Sequence, residues 1–258
     1  MISMVCMAVF TALKVARPNR LVFFFCFIHV FVQINAGIMK TLAEACADNC
    51  PDAVIAVVSN PVNSIVPITA EVLKAKGVYD PRKVIGVTQL DVVRANTFAA
   101  EHMGKDPTTV NVPVICGHAG PACAFSTIIP LWSQVPGLVA TDEQLEAMTR
   151  RVQFSGDEIV AAKAGSGSAT LSMAYAGCLF TEYILKGLKG ESVIACAFVQ
   201  STLTEASYFA SPCKLGPNGV EEVLPFGEIS TYEKQLLEKM MPELKKQIQK
   251  GTDFVANK

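Results

Sequence analysis

The residue types that could move a proton next to a carboxylate lie between Val87 and Gly120. Asp91 and Arg94 stand three residues apart, and His118 follows inside Gly117-His118-Ala119-Gly120. The chain has only three histidines, so one that follows a strand-like run and is flanked by glycines is informative. A carboxylate bonded to one imidazole nitrogen fixes the tautomer and leaves the other nitrogen to shuttle a proton. An arginine presents a planar fork that takes a carboxylate through two parallel bonds, which lysine cannot imitate. Taken singly, each has a plainer explanation: a satisfied structural histidine, and an intrahelical Asp–Arg pair contributing only a few tenths of a kcal/mol. Taken together, they suit gripping a carboxylate and moving a proton on the neighbouring carbon.

These side chains need a scaffold. Ala53 to Val58 is a continuous apolar run of strand length, as expected for a parallel strand buried on both faces. It ends at Ser59-Asn60-Pro61, before a helix over about 64–76 that stops at Gly77. A second short strand over 83–87 completes a strand, helix, strand unit of the kind that builds doubly wound sheets. Upstream, 36–47 has helical spacing and closes near Pro51. Downstream, a helix over 90–103 carries Asp91 and Arg94 on nearly one face, and 111–116 reads as a strand. An amphipathic helix over 142–164 and an apolar helix over 169–186 flank the glycine-serine run 165–168. Strands over 192–202 and 205–210, a turn at 216–219 and a third strand suggest an antiparallel sheet. A charged amphipathic helix over 230–257 closes the chain, its Lys and Glu residues most simply a solvated face. The expected class is α/β: a remnant of a doubly wound parallel sheet over 34–86, then an α+β catalytic part with an antiparallel sheet over 87–258.

Composition excludes several functions. Charged residues are 17% and hydrophobic ones 51% of the 258 residues, which indicates a well-buried globule rather than disorder. A net charge of -1 offers no electrostatic footprint for nucleic acid. The nine cysteines lack paired CxxC spacing, so neither a metal site nor a disulfide framework is expected, and they read as small hydrophobes in a reducing compartment. Residues 1–33 stand apart: no acidic residue, three basic ones, then the apolar run Leu21 to Val32. That run is too short to span a bilayer, so no membrane partner is expected. Its basic, acid-free lead is compatible with a targeting signal.

The stretch GVTQLDVVRANTF with NVPVICGHAG resembles the malate dehydrogenases of the mitochondrial and glyoxysomal type, and the resemblance runs from about Ile34 to Lys258. It implies NAD as cofactor, malate and oxaloacetate as substrate and product, a homodimer, and a mitochondrial location, with the peroxisome, glyoxysome or cytoplasm as alternatives. It implies His118 as proton acceptor, Asp91 as its orienting partner and Arg94 as the clamp on the substrate carboxylate. By the same resemblance Asn60 contacts substrate and the nicotinamide side of NAD, while Asn35, Val58, Ser59 and Met173 are cofactor contacts. For Asn60 alone a turn role before proline serves nearly as well, and a methionine in an apolar helix is usually core.

Two departures qualify the resemblance. The family cradles the cofactor diphosphate in a glycine-rich turn, yet no glycine precedes Asn35, and the loop that brings two further arginines has no counterpart. Pro121 to Ser126 also intervenes between the His118 tetrapeptide and Thr127-Ile128-Ile129-Pro130. The first 33 residues therefore read as a replacement of the family's start, with Leu21 to Val32 available to cover the otherwise bare edge of the strand at Val54 to Val58. The alternative reading is a non-catalytic subunit that pairs with a full-length homologue.

Overall fold

The computed structural model describes residues 21–24, 32–118, 126–165 and 167–256, with side chains from Asn35 onward. The basic start, most of the apolar run after Phe24, Ala119-Gly120 and Pro121 to Phe125 lie outside the described residues.

One eight-stranded sheet organises the described chain. Strands β1 (Leu21–Phe24), β2 (Val54–Val57) and β3 (Val84–Val87) run parallel, with Leu21 opposite Val54 and Ile55 opposite Val84. The edge of β2 is thus paired by the apolar N-terminal segment, as its composition allowed. Antiparallel strands follow: β6 (Val193–Gln200) joins β3, and β7 (Tyr208–Gly216) joins β6. Short strands β4 (Val114–Cys116) and β5 (Ile128–Pro130) lie beyond β7, which also pairs with β8 (Gly219–Val223). The parallel and antiparallel portions are therefore one sheet, joined where Val87 faces Ala197.

The apolar run of β2 is explained by layers on both faces. Ile55 and Val57 point into a cluster with Met39 and Ala43 of α1 (Val32–Asn49), Ile65 and Ile68 of α2 (Val62–Ala75), and Leu244 and Ile248 of α6 (Thr231–Ala256). Val54 and Ala56 point the other way, toward Phe180 and Ile184 of α5 (Leu171–Leu188), following the two-residue period of a strand. A third cluster joins α3 (Gln89–Met103) and α4 (Asp142–Ala162) to the β4–β5 hairpin through Ala95, Val114, Trp132 and Val152.

Three expectations change in detail. The strand expected over 205–210 starts at Tyr208 and runs to Gly216; it includes Pro212, opposite Cys196, and proline usually argues against a strand interior. The strand expected over 111–116 is only Val114–Cys116. The closing helix is not simply solvated on its polar side: Glu233 and Gln247 are buried, and the Glu233 carboxylate accepts bonds from Ser133 and Ser230.

Candidate active site

Helix α3 starts two residues after β3 ends, which puts Asp91 in its first turn, beside the positive end of the helix. The carboxylate is wholly buried. One oxygen lies 2.5 Å from Nδ1 of His118 and the other 3.5 Å from Nη1 of Arg94. A buried carboxylate is costly unless hydrogen-bonded or paired, and these two contacts provide that. With Nδ1–H donated to Asp91, the lone pair on Nε2 is left to accept a proton. The Asp–Arg contact sits at the outer limit of a hydrogen bond, so the intrahelical pair does not use up the arginine. Only 13% of the Arg94 side chain and 11% of the His118 side chain are exposed. Among the described residues the guanidinium has no second hydrogen-bond partner, an arrangement suited to an incoming carboxylate.

The segment holding His118 is irregular by construction. β4 ends at Cys116, whose φ of 81° lies in the left-handed region that non-glycine residues rarely occupy. Gly117 donates to the Thr127 carbonyl at 2.9 Å. A side chain at Gly117 would collide, since a Cβ there would stand 2.5 Å from Thr127 Oγ1 and 2.9 Å from both polar atoms of the Asn63 amide. The backbone of His118 is then held by Asn63: its N–H donates to Asn63 Oδ1 at 2.9 Å, and its carbonyl accepts from Asn63 Nδ2 at 2.9 Å. No motif of the sequence marks Asn63 for this role. The available signal was the second Asn of Ser59-Asn60-Pro61-Val62-Asn63, in the first turn of a helix that follows a strand's C-terminal end.

The same strand-to-helix junction holds the other expected residues. Asn35 Nδ2 donates to the Asn60 carbonyl at 2.8 Å, across the junction's cis Asn60–Pro61 bond. Ser59 Oγ and Asn60 Oδ1 are buried and find no hydrogen-bond partner among the described residues. Orphaned acceptors of this kind are costly and rare; here they lie at the carboxyl end of a parallel strand, where ligands of such sheets bind. Val58 and Met173, both partly buried, pack against the cluster that Val54, Val87 and Val199 form with Phe180 and Ile184 of α5. Ser59, Asn60 and Asn35 thus fit the polar, amide-bearing end of a nicotinamide cofactor. The first glycine of the sequence is Gly37, so no glycine-rich turn is legible ahead of these residues.

Among the described residues, thiol chemistry does not compete for the site. Cys116, two residues from His118, is buried, and burial drives its thiol far above the usual range. Burial likewise pushes Cys196 up to about 11. A neutral thiol is a poor nucleophile at physiological pH.

An α/β sheet with an Asp–His–Arg group at its strand ends matches two sequence models. The lactate/malate dehydrogenase NAD binding domain matches residues 30–86, and the lactate/malate dehydrogenase alpha/beta C-terminal domain matches residues 88–255. The chain belongs to the lactate/malate dehydrogenase family. Within it, the similar curated proteins are malate dehydrogenases: one from Vibrio vulnificus at 54% identity, covering 86% of this chain and 70% of the relative; the mitochondrial enzyme of Rattus norvegicus at 54%, covering 86% and 65%; and that of Citrullus lanatus at 56%, covering 86% and 63%. The chain thus spans about two thirds of the length of these relatives. Among solved structures, the apo malate dehydrogenase of Picrophilus torridus has the same fold, with a TM-score of 0.76 at 24% identity over 92% of this chain and 76% of that one.

Proposed function

We propose that the chain carries the hydroxyacid half of a malate dehydrogenase site, for the reversible oxidation of (S)-malate to oxaloacetate with NAD. The observation that carries this reading is the 2.5 Å contact of buried Asp91 with His118 Nδ1, set beside an underused Arg94. Arg94 binds the substrate carboxylate next to the reacting carbon through its fork. His118 Nε2 takes the hydroxyl proton, and Asp91 stabilises the imidazolium that forms. Asn60 holds the substrate oxygen through its amide. When bound, NAD supplies the hydride acceptor; Asn35, Val58, Ser59, Asn60 and Met173 would hold its nicotinamide end. The test is oxaloacetate-dependent NADH oxidation by the purified chain, with pyruvate as comparison. Turnover with oxaloacetate in excess of pyruvate supports the reading, and equal or absent turnover rejects it.

A second reading rests on a different observation. Helix α5 exposes Leu171 and Tyr175 to 84% and 54%, an apolar surface suited to pairing with a second copy or a full-length homologue. Co-expression with a full-length malate dehydrogenase followed by size exclusion tests it, and a strictly monomeric product rejects pairing. The location we propose is mitochondrial, supported by the names of the rat and Citrullus lanatus relatives; microscopy of a tagged chain with an organelle marker checks it.

A further inference from the structure

We propose that Asn63 is a positioning residue for His118, and that Gln247 of the closing helix sets the orientation in which Asn63 works. This deepens the reading of His118 as proton acceptor and rests on it only for its consequence in turnover.

A loop residue that transfers protons must be held, yet among the described residues no strand pairs with His118. β4 ends two residues earlier at Cys116, in a left-handed conformation. Asn63 supplies what a neighbouring strand would. Its Oδ1 accepts the His118 N–H and its Nδ2 donates to the His118 carbonyl, each at 2.9 Å, so both backbone polar groups of one residue are fixed by one side chain. Asn63 is 1% exposed, and water cannot substitute freely for these bonds.

Donor counting shows why the amide must face one way. Nδ2 has two hydrogens and three acceptors within reach: His118 O at 2.9 Å, Thr127 Oγ1 at 2.9 Å and Gln247 Oε1 at 2.8 Å. Thr127 Oγ1 itself donates to His118 O at 3.1 Å, which relieves part of that demand. A flipped amide would point NH2 at the His118 N–H and its oxygen at Gln247 Oε1, donor against donor and acceptor against acceptor. Gln247 holds its own orientation through Nε2 to Glu243 Oε1 at 2.9 Å, and its carbonyl receives the Ser64 hydroxyl at 2.7 Å. The chain of contacts therefore runs from α6 through the first turn of α2 to the proton-transferring residue, with Gly117 leaving the space that Asn63 and Thr127 fill.

A network that merely satisfied its own buried groups would matter for stability alone. The ring of His118 distinguishes the two roles, because a shifted backbone misaligns Nδ1 with Asp91. Histidine ring nitrogens of the full chain are assigned by nitrogen-15 NMR, with Asn63→Ala and Gln247→Leu compared against the native protein and melting followed by circular dichroism. The native ring is expected as a single Nδ1–H tautomer, becoming a mixture in Asn63→Ala and shifting the same way, less far, in Gln247→Leu. Oxaloacetate reduction at matched NADH should fall about a hundredfold in Asn63→Ala, the scale of an ångström of misplacement. Gln247→Leu carries the test if Asn63→Ala does not fold. Lowered melting with an unaltered His118 tautomer overturns the proposal. A tautomer change in a chain whose native form shows no turnover would uphold the positioning role and remove the proposed reaction instead.

Discussion

Asp91→Asn preserves the shape of a wholly buried side chain and removes its charge. Two outcomes follow from the geometry. If the amide oxygen stays 2.5 Å from Nδ1, the imidazole keeps its tautomer but loses a charge-assisted bond, a contribution of about 1.5–3 kcal/mol. At about 1.4 kcal/mol per factor of ten, the rate falls roughly ten- to a hundredfold. If the amide nitrogen turns to His118 instead, Nδ1 must accept and the proton moves to Nε2. The nitrogen that should receive the substrate proton is then blocked, and the loss approaches the ~10⁴-fold seen when Asn reverses the tautomer of a histidine base. Arg94 sits 3.5 Å from the other oxygen and keeps its charge, so carboxylate binding should not weaken. Initial rates of oxaloacetate reduction at matched NADH, taken across oxaloacetate concentration, separate the two parameters. The expected result is a fall in maximal rate with KM unchanged or lower. A variant within twofold of the native maximal rate, or one changed only in KM, would refute the assignment of Asp91 as the orienting group.

Further outcomes follow from the same geometry. Arg94→Lys replaces the fork by a point charge and should raise KM for oxaloacetate about ten- to a hundredfold; saturation curves check this, and an unaltered KM would remove Arg94 from the substrate. Malate oxidation needs neutral imidazole and oxaloacetate reduction needs imidazolium, so the optimum for oxidation should lie at higher pH than that for reduction. Coincident pH profiles would count against proton transfer through His118. NADH should saturate oxaloacetate reduction only toward the millimolar range, because the sequence has no glycine before Gly37 to form a glycine-rich turn for the diphosphate; saturation at micromolar NADH would show that other residues supply that cradle.

What could be read directly from the sequence was mostly local. The unbroken apolar run of β2 announced a strand covered on both faces, because Ile55 and Val57 must be buried on one side and Val54 and Ala56 on the other. Asp91 and Arg94 were legible as a pair because three residues on a helix fix their separation. His118 could be joined to them only through resemblance, since a separation of 27 positions between Asp91 and His118 leaves the contact undetermined by periodicity. Asn63 and Gln247 were illegible for the same reason, more strongly: the two are 184 residues apart in sequence, and each has an unremarkable local role, one in a helix first turn and the other on a helix that looks solvated. The extent of β7 was hidden by Pro212, whose place opposite Cys196 is decided by pairing with β6 rather than by local propensity.

The central claim is that one imidazole, aligned by Asp91 beside Arg94, accepts the proton of a hydroxyacid. Replacing it tests this most directly: oxaloacetate reduction by the native chain and by His118→Asn at matched NADH. The account predicts measurable turnover in the native chain and a loss of about 10²–10⁴-fold in the variant. Turnover that survives the substitution would contradict it.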